Sequence, residues 1–363
     1  MSPLLRVFGG PGRYVQGDGA IDAMGPWLAE VGAVAVLLAD RAVLDLVSGR
    51  VEAACSGAGV RCRAVEFSGE ITPEEIARLT QHIRPLGPDF IIGAGGGRGV
   101  DAGKAVAHQL SVRVVTLPTA ASNDAPTSKI YVLYDSDHRL LRVEHLPASP
   151  ALVVVDTGVI VQAPERLFVA GVGDAIVKKF EVTQCLAAGG SNIFGGRGCQ
   201  AALALAGLCH DTLRDSAVAA LGDVRQRRVS EAVERVVEAT VLLSGLAFES
   251  GGLSISHAMT RGLTATRGTR DALHGFQVAY ALFVQLVLEG RDNVFLDEMA
   301  RFYRAVGLPL SLADIGLADP TEAELAAIAR GTLTAPHARH FQRVLTDADL
   351  VAAMRVIEQR SRA

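Results

Sequence analysis

Two histidines and one aspartate carry the most specific chemistry in the chain. His257 stands in GGLSISHAMTRGLT and His274 in TRDALHGFQVAYALF, each among small, apolar residues and glycines. A charged imidazole is costly in such surroundings. Two neutral imidazoles facing one point suit Zn²⁺ once a carboxylate joins them. Asp174, in AGVGDAIVKKFE, is the candidate carboxylate. The alternatives are hydrogen-bonded structural histidines and a helix-capping aspartate. None of the nine histidines forms HExxH, and His337 and His340 have no evident third partner.

A second chemistry lies in residues 91–134, where two apolar strands each run into a loop of small or polar residues. Gly93, Gly95, Gly96, Gly97 and Gly99 let a backbone approach a ligand, and the helix that follows points its amino end there. Free N–H groups and the helix dipole favour a pyrophosphate. The spacing is not GxGxxG, because Arg98 stands where the third glycine would fall. It is not a Walker loop either, because Arg98 and Ala105 replace a glycine and a hydroxyl residue. A plain strand-to-helix turn is the alternative. Asp40 closes the apolar run AVAVLLA. An acid there accepts from a ribose diol and repels a 2′-phosphate, selecting NAD over NADP, although a helix cap would use the same residue. It precedes the glycine loop, the reverse of the usual order. The loop PTAASNDAPTS, 118–128, is stiffened by prolines. Its hydroxyls can bind phosphate or an amide, and Asp124 can meet a substrate hydroxyl. Turn capping is its alternative.

Elements that would position these groups are legible in the hydrophobic pattern. The continuous apolar run at 33–39 predicts a parallel strand buried on both faces, and strands are also expected at 89–93, 112–117 and 152–156. A further strand is expected at 60–66. A small edge hairpin is expected from 5–8 and 13–15, and a second hairpin from 129–134 and 140–145 around residues 135–138. Helices are expected at 20–31, 43–56, 72–84 (capped by Thr72, with Pro73 first), and 100–108. Beyond residue 164 the strand signals fade, and helical spacing dominates at 230–249, 277–288 and 296–305. The expected fold is an α/β amino-terminal domain with a Rossmann-like parallel sheet, residues 1–162, followed by an all-helical carboxyl-terminal domain, residues 163–363. The cleft between domains is the default place for a ligand.

Composition narrows the classes. The chain has 363 residues, about half apolar, and a net charge of −4, so no basic field invites nucleic acid. No apolar run approaches the roughly 18 residues of a membrane helix, and the first residues lack a secretory pattern. The five cysteines are odd in number and form no CxxC. They read as reduced, and a cytoplasmic location is expected.

At GGGRGVDAGKA, PTAASNDAPTS, GVGDA, FESGGLSISHAMTRGLT and HGFQVAYALFVQLVLEG the chain resembles the metal-dependent glycerol dehydrogenases, within the wider iron-containing alcohol dehydrogenase group. The likeness covers nearly the whole length, with five motifs in the family's order. It implies that Asp174, His257 and His274 bind Zn²⁺ (Fe²⁺ or Mn²⁺ as alternatives) and that Asp40 takes the adenosine ribose. It implies that Gly95 and Gly96 lead into a pyrophosphate loop of Gly97, Arg98, Gly99, Val100 and Asp101. Thr119, Ala120, Ala121, Ser122, Ser128, Ile130 and Tyr134 would line the rest of NAD, and Asp124 would meet the polyol. Two departures stand out. Arg98-Gly99 replaces the usual Lys-Thr, and His274-Gly275-Phe276 replaces His-Gly-Glu. PTAASND is also similar to glycerol-1-phosphate dehydrogenases, whereas the following APTS is glycerol-dehydrogenase-like.

The implied reaction is reversible oxidation of glycerol or a related vicinal diol by NAD⁺ to the hydroxyketone, with the metal lowering the alcohol pKa. Asp124, Asp174, His257 and His274 would be its catalytic residues. The rivals are a reductase of a phosphorylated or secondary-metabolite carbonyl, a dehydroquinate-synthase-like lyase, and a non-catalytic NAD-binding protein. A phosphorylated substrate would call on Lys129, Lys178, Lys179 or Arg261, although the lysines read as surface residues. The partners expected are a small polyol or hydroxyketone and further copies of the chain, as rings of eight subunits occur in the family. No nucleic acid and no membrane are expected.

Overall fold

Six short strands form the sheet of the α/β unit. The computed structural model describes residues 5–135 and 140–362. In chain order the strands are β1 (Tyr14–Gly17), β2 (Val34–Ala39), β3 (Arg61–Glu66), β4 (Phe90–Gly95), β5 (Arg113–Pro118), β6 (Ile130–Tyr134), β7 (Leu140–His145) and β8 (Leu152–Asp156). The large sheet has the order β1-β8-β5-β4-β2-β3, and every pair in it is parallel. Along β2, Ala35, Leu37 and Ala39 pack on one face with Val47, Val51 and Cys55 of the helix Arg41–Gly57. Val36 and Leu38 pack on the other with Ile76, Leu79 and Val106. Both faces are covered, so these strands are continuous apolar runs rather than alternating ones. β6 and β7 form the expected antiparallel hairpin, whose connecting residues 136–139 lie outside the described residues.

Three expectations need correction. The edge hairpin at 5–15 is absent. β1 pairs in parallel with β8, Tyr14 opposite Val153, and Arg6 instead bridges in parallel to Arg197. The helix expected at 20–31 is two pieces, Ala20–Ala23 and Gly25–Val31. Pro26 lies in the first turn of the second piece, where its missing N–H costs nothing, whereas inside one long helix it would break the ladder. The helix after the glycine loop spans Gly97–Leu110 and so starts inside the glycines.

The chain forms two compact units. One comprises 10–165 together with 223–245, and the other comprises residues up to Gly9, 166–222 and 246–363. The segment 223–245 is tied to the α/β unit by side chains. Gln16 Nε2 donates to Glu234 Oε2 at 2.6 Å, and Thr157 Oγ1 donates to Glu234 Oε1 at 2.6 Å. Where this helix widens to a π turn over Ala239–Leu243, the Val241 carbonyl accepts from Thr127 Oγ1 at 2.9 Å. The second unit is helical, including Glu165–Ile176, Lys178–Ala187, Ile255–Ala265 and His274–Leu288. Among the described residues no single helix is long and apolar enough to cross a membrane. All five cysteines are free, and Cys55, Cys185 and Cys209 are buried.

Candidate active site

Four helix segments of the helical unit carry the metal-type residues. Asp174 lies near the end of Glu165–Ile176, and the next helix begins at Lys178 after a single residue. Helical geometry through this join puts Asp174, Lys178 and Glu181 on one face, at i, i+4 and i+7. His257 lies in the first turn of Ile255–Ala265, and His274 opens His274–Leu288. Two glycines bring the carriers of Asp174 and His274 together. A Cβ on Gly275 would fall 1.8 Å from the Ala170 carbonyl oxygen, and one on Gly173 would fall 2.6 Å from that of Gly275.

The three expected ligands converge. His257 Nε2 lies 3.1 Å and His274 Nε2 3.9 Å from Asp174 Oδ1. One ligand-type atom from each residue lies within 4.8 Å of the others. Tetrahedral zinc with bonds of about 2.1 Å places its ligand atoms roughly 3.4 Å apart. Two imidazole nitrogens and one carboxylate oxygen therefore fit such an ion in donor type and in spacing.

Two further residues complete the group. Glu181 is fully buried. Its Oε2 lies 2.5 Å from His257 Nδ1, and its Oε1 accepts from the backbone N–H of Ser254 at 3.0 Å and of His257 at 2.9 Å. One carboxylate thus caps the helix that carries His257 and fixes the ring so that Nε2 faces Asp174. Lys178 is fully buried too, which corrects its expected surface placement. Its Nζ donates to Asp174 Oδ1 at 2.9 Å and lies 3.2 Å from His257 Nε2. Burial is the largest single influence on His257 and would lower its pKa, but the charge and hydrogen bond of Glu181 and the hydrogen bond of Asp174 together outweigh it and raise it to about 9. Burial would raise Asp174, and the Lys178 ammonium and His257 instead hold its carboxyl well below the usual range. His274 is pulled down to about 4 by desolvation and by its cationic neighbours His257 and Lys178. Its side chain is 48% exposed, which weakens the desolvation, and the Asp174 carboxylate opposes the shift more than either cation favours it.

In the α/β unit, β4 runs through Gly95, whose φ of +132° only glycine adopts readily, into the N-cap Gly96. No side chain caps the helix that follows. Its first-turn N–H groups therefore remain available to an anion. Not every glycine here serves a ligand. A Cβ on Gly99 would fall 2.2 Å from the Ala94 carbonyl oxygen, and Gly93 and Gly103 meet backbone to backbone. A Cβ on Gly96 would meet nothing within 4 Å. Arg98 points away to the Gly69 carbonyl and Glu70. Asp40 Oδ1 accepts from Val43 N–H at 3.0 Å and so caps its helix.

Lys104, given no role by its sequence context, anchors the second loop. It is fully buried and donates to the carbonyls of Ala125 (2.6 Å) and Ile130 (2.7 Å), to Ser128 Oγ and to Asp101 Oδ1 (both 3.3 Å). Asp101 Oδ2 also accepts from Val132 N–H at 3.0 Å. Asp101 and Ser128 are therefore braces of the loop as well as expected cofactor contacts. Thr119, Ser122, Ile130 and Tyr134 are half-buried, while Ala120 and Ala121 are buried. Asp124 is buried, and its Oδ2 accepts from Ser244 Oγ at 2.6 Å. The lysines and arginine considered for a phosphorylated substrate are otherwise engaged. Lys179 contacts His210 and Asp211, and Arg261 donates to the Thr334 carbonyl.

A parallel α/β unit with an open glycine turn and a helical unit with an Asp-His-His set define an alcohol dehydrogenase. Residues 11–157 match the family model described as iron-containing alcohol dehydrogenase. A glycerol dehydrogenase from Pseudomonas putida is 39% identical over 324 residues, 89% of each chain. A glycolaldehyde reductase from Halobacterium salinarum is 38% identical over 326 residues, 90% of this chain and 89% of that one. The crystal structure of a probable glycerol dehydrogenase from Sinorhizobium meliloti superposes with a TM-score of 0.92 at 35% identity, covering 99% of both chains. The chain belongs to the glycerol dehydrogenase family within the iron-containing alcohol dehydrogenases.

Proposed function

We propose that the protein catalyses NAD-dependent, metal-dependent oxidation of glycerol or a related vicinal diol to the hydroxyketone, and the reverse reduction. The observation that carries the reading is the convergence of Asp174, His257 and His274 in a chain with relatives named glycerol dehydrogenase. Asp174, His257 and His274 hold a divalent ion, Zn²⁺ by donor type. When bound, such an ion supplies Lewis acidity that lowers the pKa of an alcohol. The open amides at Gly97–Gly99 bind the NAD pyrophosphate, Asp40 takes the adenosine ribose, and the loop braced by Lys104 receives the remainder. Asp124 offers its carboxylate to a polyol hydroxyl, with Ser244 holding one oxygen in place.

The test is a panel of vicinal diols with NAD⁺, and of hydroxyketones with NADH, run on metal-stripped protein with and without added Zn²⁺. Glycolaldehyde belongs in the panel because its reduction also yields a vicinal diol. NADH formation from glycerol that requires the added ion supports the reading. Absence of any nicotinamide turnover across the panel removes it, and preference for dihydroxyacetone phosphate would favour the phosphorylated rival.

A further inference from the structure

A buried ammonium shares its ligands with the proposed metal. Lys178 is 0% exposed, so solvent does not screen its charge. Its Nζ holds Asp174 Oδ1 at 2.9 Å and His257 Nε2 at 3.2 Å, and the Phe248 ring lies 5.5 Å away. These two atoms belong to the three residues of the metal group. The placement is built into the fold, because Lys178 opens its helix one turn beyond Asp174. An unpaired ammonium is expensive to bury, so Lys178 depends on Asp174 as a metal would.

We infer that Lys178 is an internal competitor for the metal: its ammonium neutralises Asp174 in the metal-free protein and has to leave Asp174 Oδ1 and His257 Nε2 before an ion bonds them. The inference rests on the metal reading above. His257 Nε2 bonds an ion only through its lone pair, so it cannot carry a proton or face the ammonium and coordinate an ion together. A divalent ion beside a buried ammonium is also repelled far more strongly than in water. The consequence has two sides. The ligand set stays ordered without metal, and the ion is held less tightly than the same three ligands would otherwise hold it. His274, half exposed and 3.9 Å from Asp174 Oδ1, is the ligand left open to an arriving ion.

The test compares chelator-stripped wild type, Lys178→Met and Lys178→Gln. Each is titrated with Zn²⁺ against a chromogenic chelator, and each metal-free protein is melted. Both variants should bind Zn²⁺ about tenfold more tightly or better, since a buried like charge is removed. Metal-free Lys178→Met should melt below metal-free wild type, and Zn²⁺ should raise its Tm by more. Lys178→Gln keeps a polar contact to Asp174 and serves if the methionine variant does not fold. Folded variants that bind Zn²⁺ no more tightly than wild type overturn the inference and leave the metal reading standing. No binding of a divalent ion by wild type or either variant overturns both.

Discussion

Glu181 Oε2 lies 2.5 Å from Nδ1 of His257, and the other oxygen of the same carboxylate receives the backbone N–H groups of Ser254 and His257. A carboxylate that accepts from Nδ1 keeps Nε2 free for a ligand's role and raises the ring's basicity. Glu181→Gln keeps the size but puts an amide N–H₂ or a weaker acceptor against Nδ1. It is expected to weaken Zn²⁺ binding about 10- to 100-fold, read as metal retained after dialysis against a chelator. Unchanged retention would show that Glu181 only caps the helix.

The same residue predicts an acid-side effect. Burial would raise the Glu181 carboxyl, but His257 and Lys178 lower it to about 2 from an ordinary 4.5. A carboxyl lowered in the folded state contributes stability that is complete above its unfolded pKa and fades as pH falls toward its folded one. The Tm difference between metal-free wild type and Glu181→Gln should therefore be largest between pH 4.5 and 6.5, shrink below 4.5 as the carboxyl is protonated, and shrink again toward pH 9 as His257 loses its proton. A difference that stayed flat below pH 4.5 would mean that the carboxyl is not depressed.

Lys104 holds the loop between β5 and β6 by two carbonyls and a hydroxyl. Lys104→Met leaves those acceptors and the Asp101 carboxylate buried with fewer donors, an effect worth roughly 3–5 kcal/mol for a broken buried pair. The urea midpoint should fall accordingly. Because the loop carries both proposed NAD contacts and Asp124, KM for NAD and KM for the diol should both rise. A lower midpoint with both KM values unchanged would assign Lys104 to general stability alone.

Gly275 is required by packing rather than by its backbone angles, since an added Cβ would sit 1.8 Å from the Ala170 carbonyl oxygen. Gly275→Ala pushes apart the two helices that present Asp174 and His274. Overpacking of this kind costs about 1–3 kcal/mol. Loss of Zn²⁺ retention should accompany the lower Tm, because the strain falls beside a proposed ligand. A stable variant with full metal content would contradict that coupling.

Much of this was legible in the chain, for reasons that can be traced to particular residues. The run Ala35–Ala39 announces a strand covered on both faces, and the hairpin of β6 and β7 was expected at its observed place. The surroundings of Asp174, His257 and His274 made each a candidate, and only the family resemblance joined them as a set. Glu181 was readable in principle, because it lies two helical turns from Asp174 on the same face. A lone glutamate in a helix, however, has the signature of solvent-facing charge. Lys178 and Lys104 were missed for the same reason, since the burial of a charged group is decided by partners from other elements. The course of β1 was not legible because its parallel partner β8 is remote in sequence. The packing of 223–245 with the α/β unit left no trace, since helical spacing identifies the apolar face of a helix and not the unit that covers it.

Asp124 offers the sharpest test of the polyol contact. Its Oδ2 is fixed by Ser244 Oγ at 2.6 Å, and the backbone around it is pinned by Thr127 Oγ1, which donates to the Asp124 and Val241 carbonyls. The carboxylate is therefore oriented before any substrate arrives. A hydrogen bond from a hydroxyl to a charged group contributes about 1.5–3 kcal/mol, so Asp124→Ala should lower kcat/KM for a diol by roughly 10- to 100-fold. Ser244→Ala, which keeps the carboxylate and removes its bond from Ser244 Oγ, should give a smaller loss in the same direction. Neither change touches the zinc-type ligands or the glycine turn, so metal content and KM for NAD should stay near wild type. Full turnover and an unchanged diol KM in Asp124→Ala would remove the residue from the substrate site. Loss of metal together with activity would move its role to the integrity of the fold.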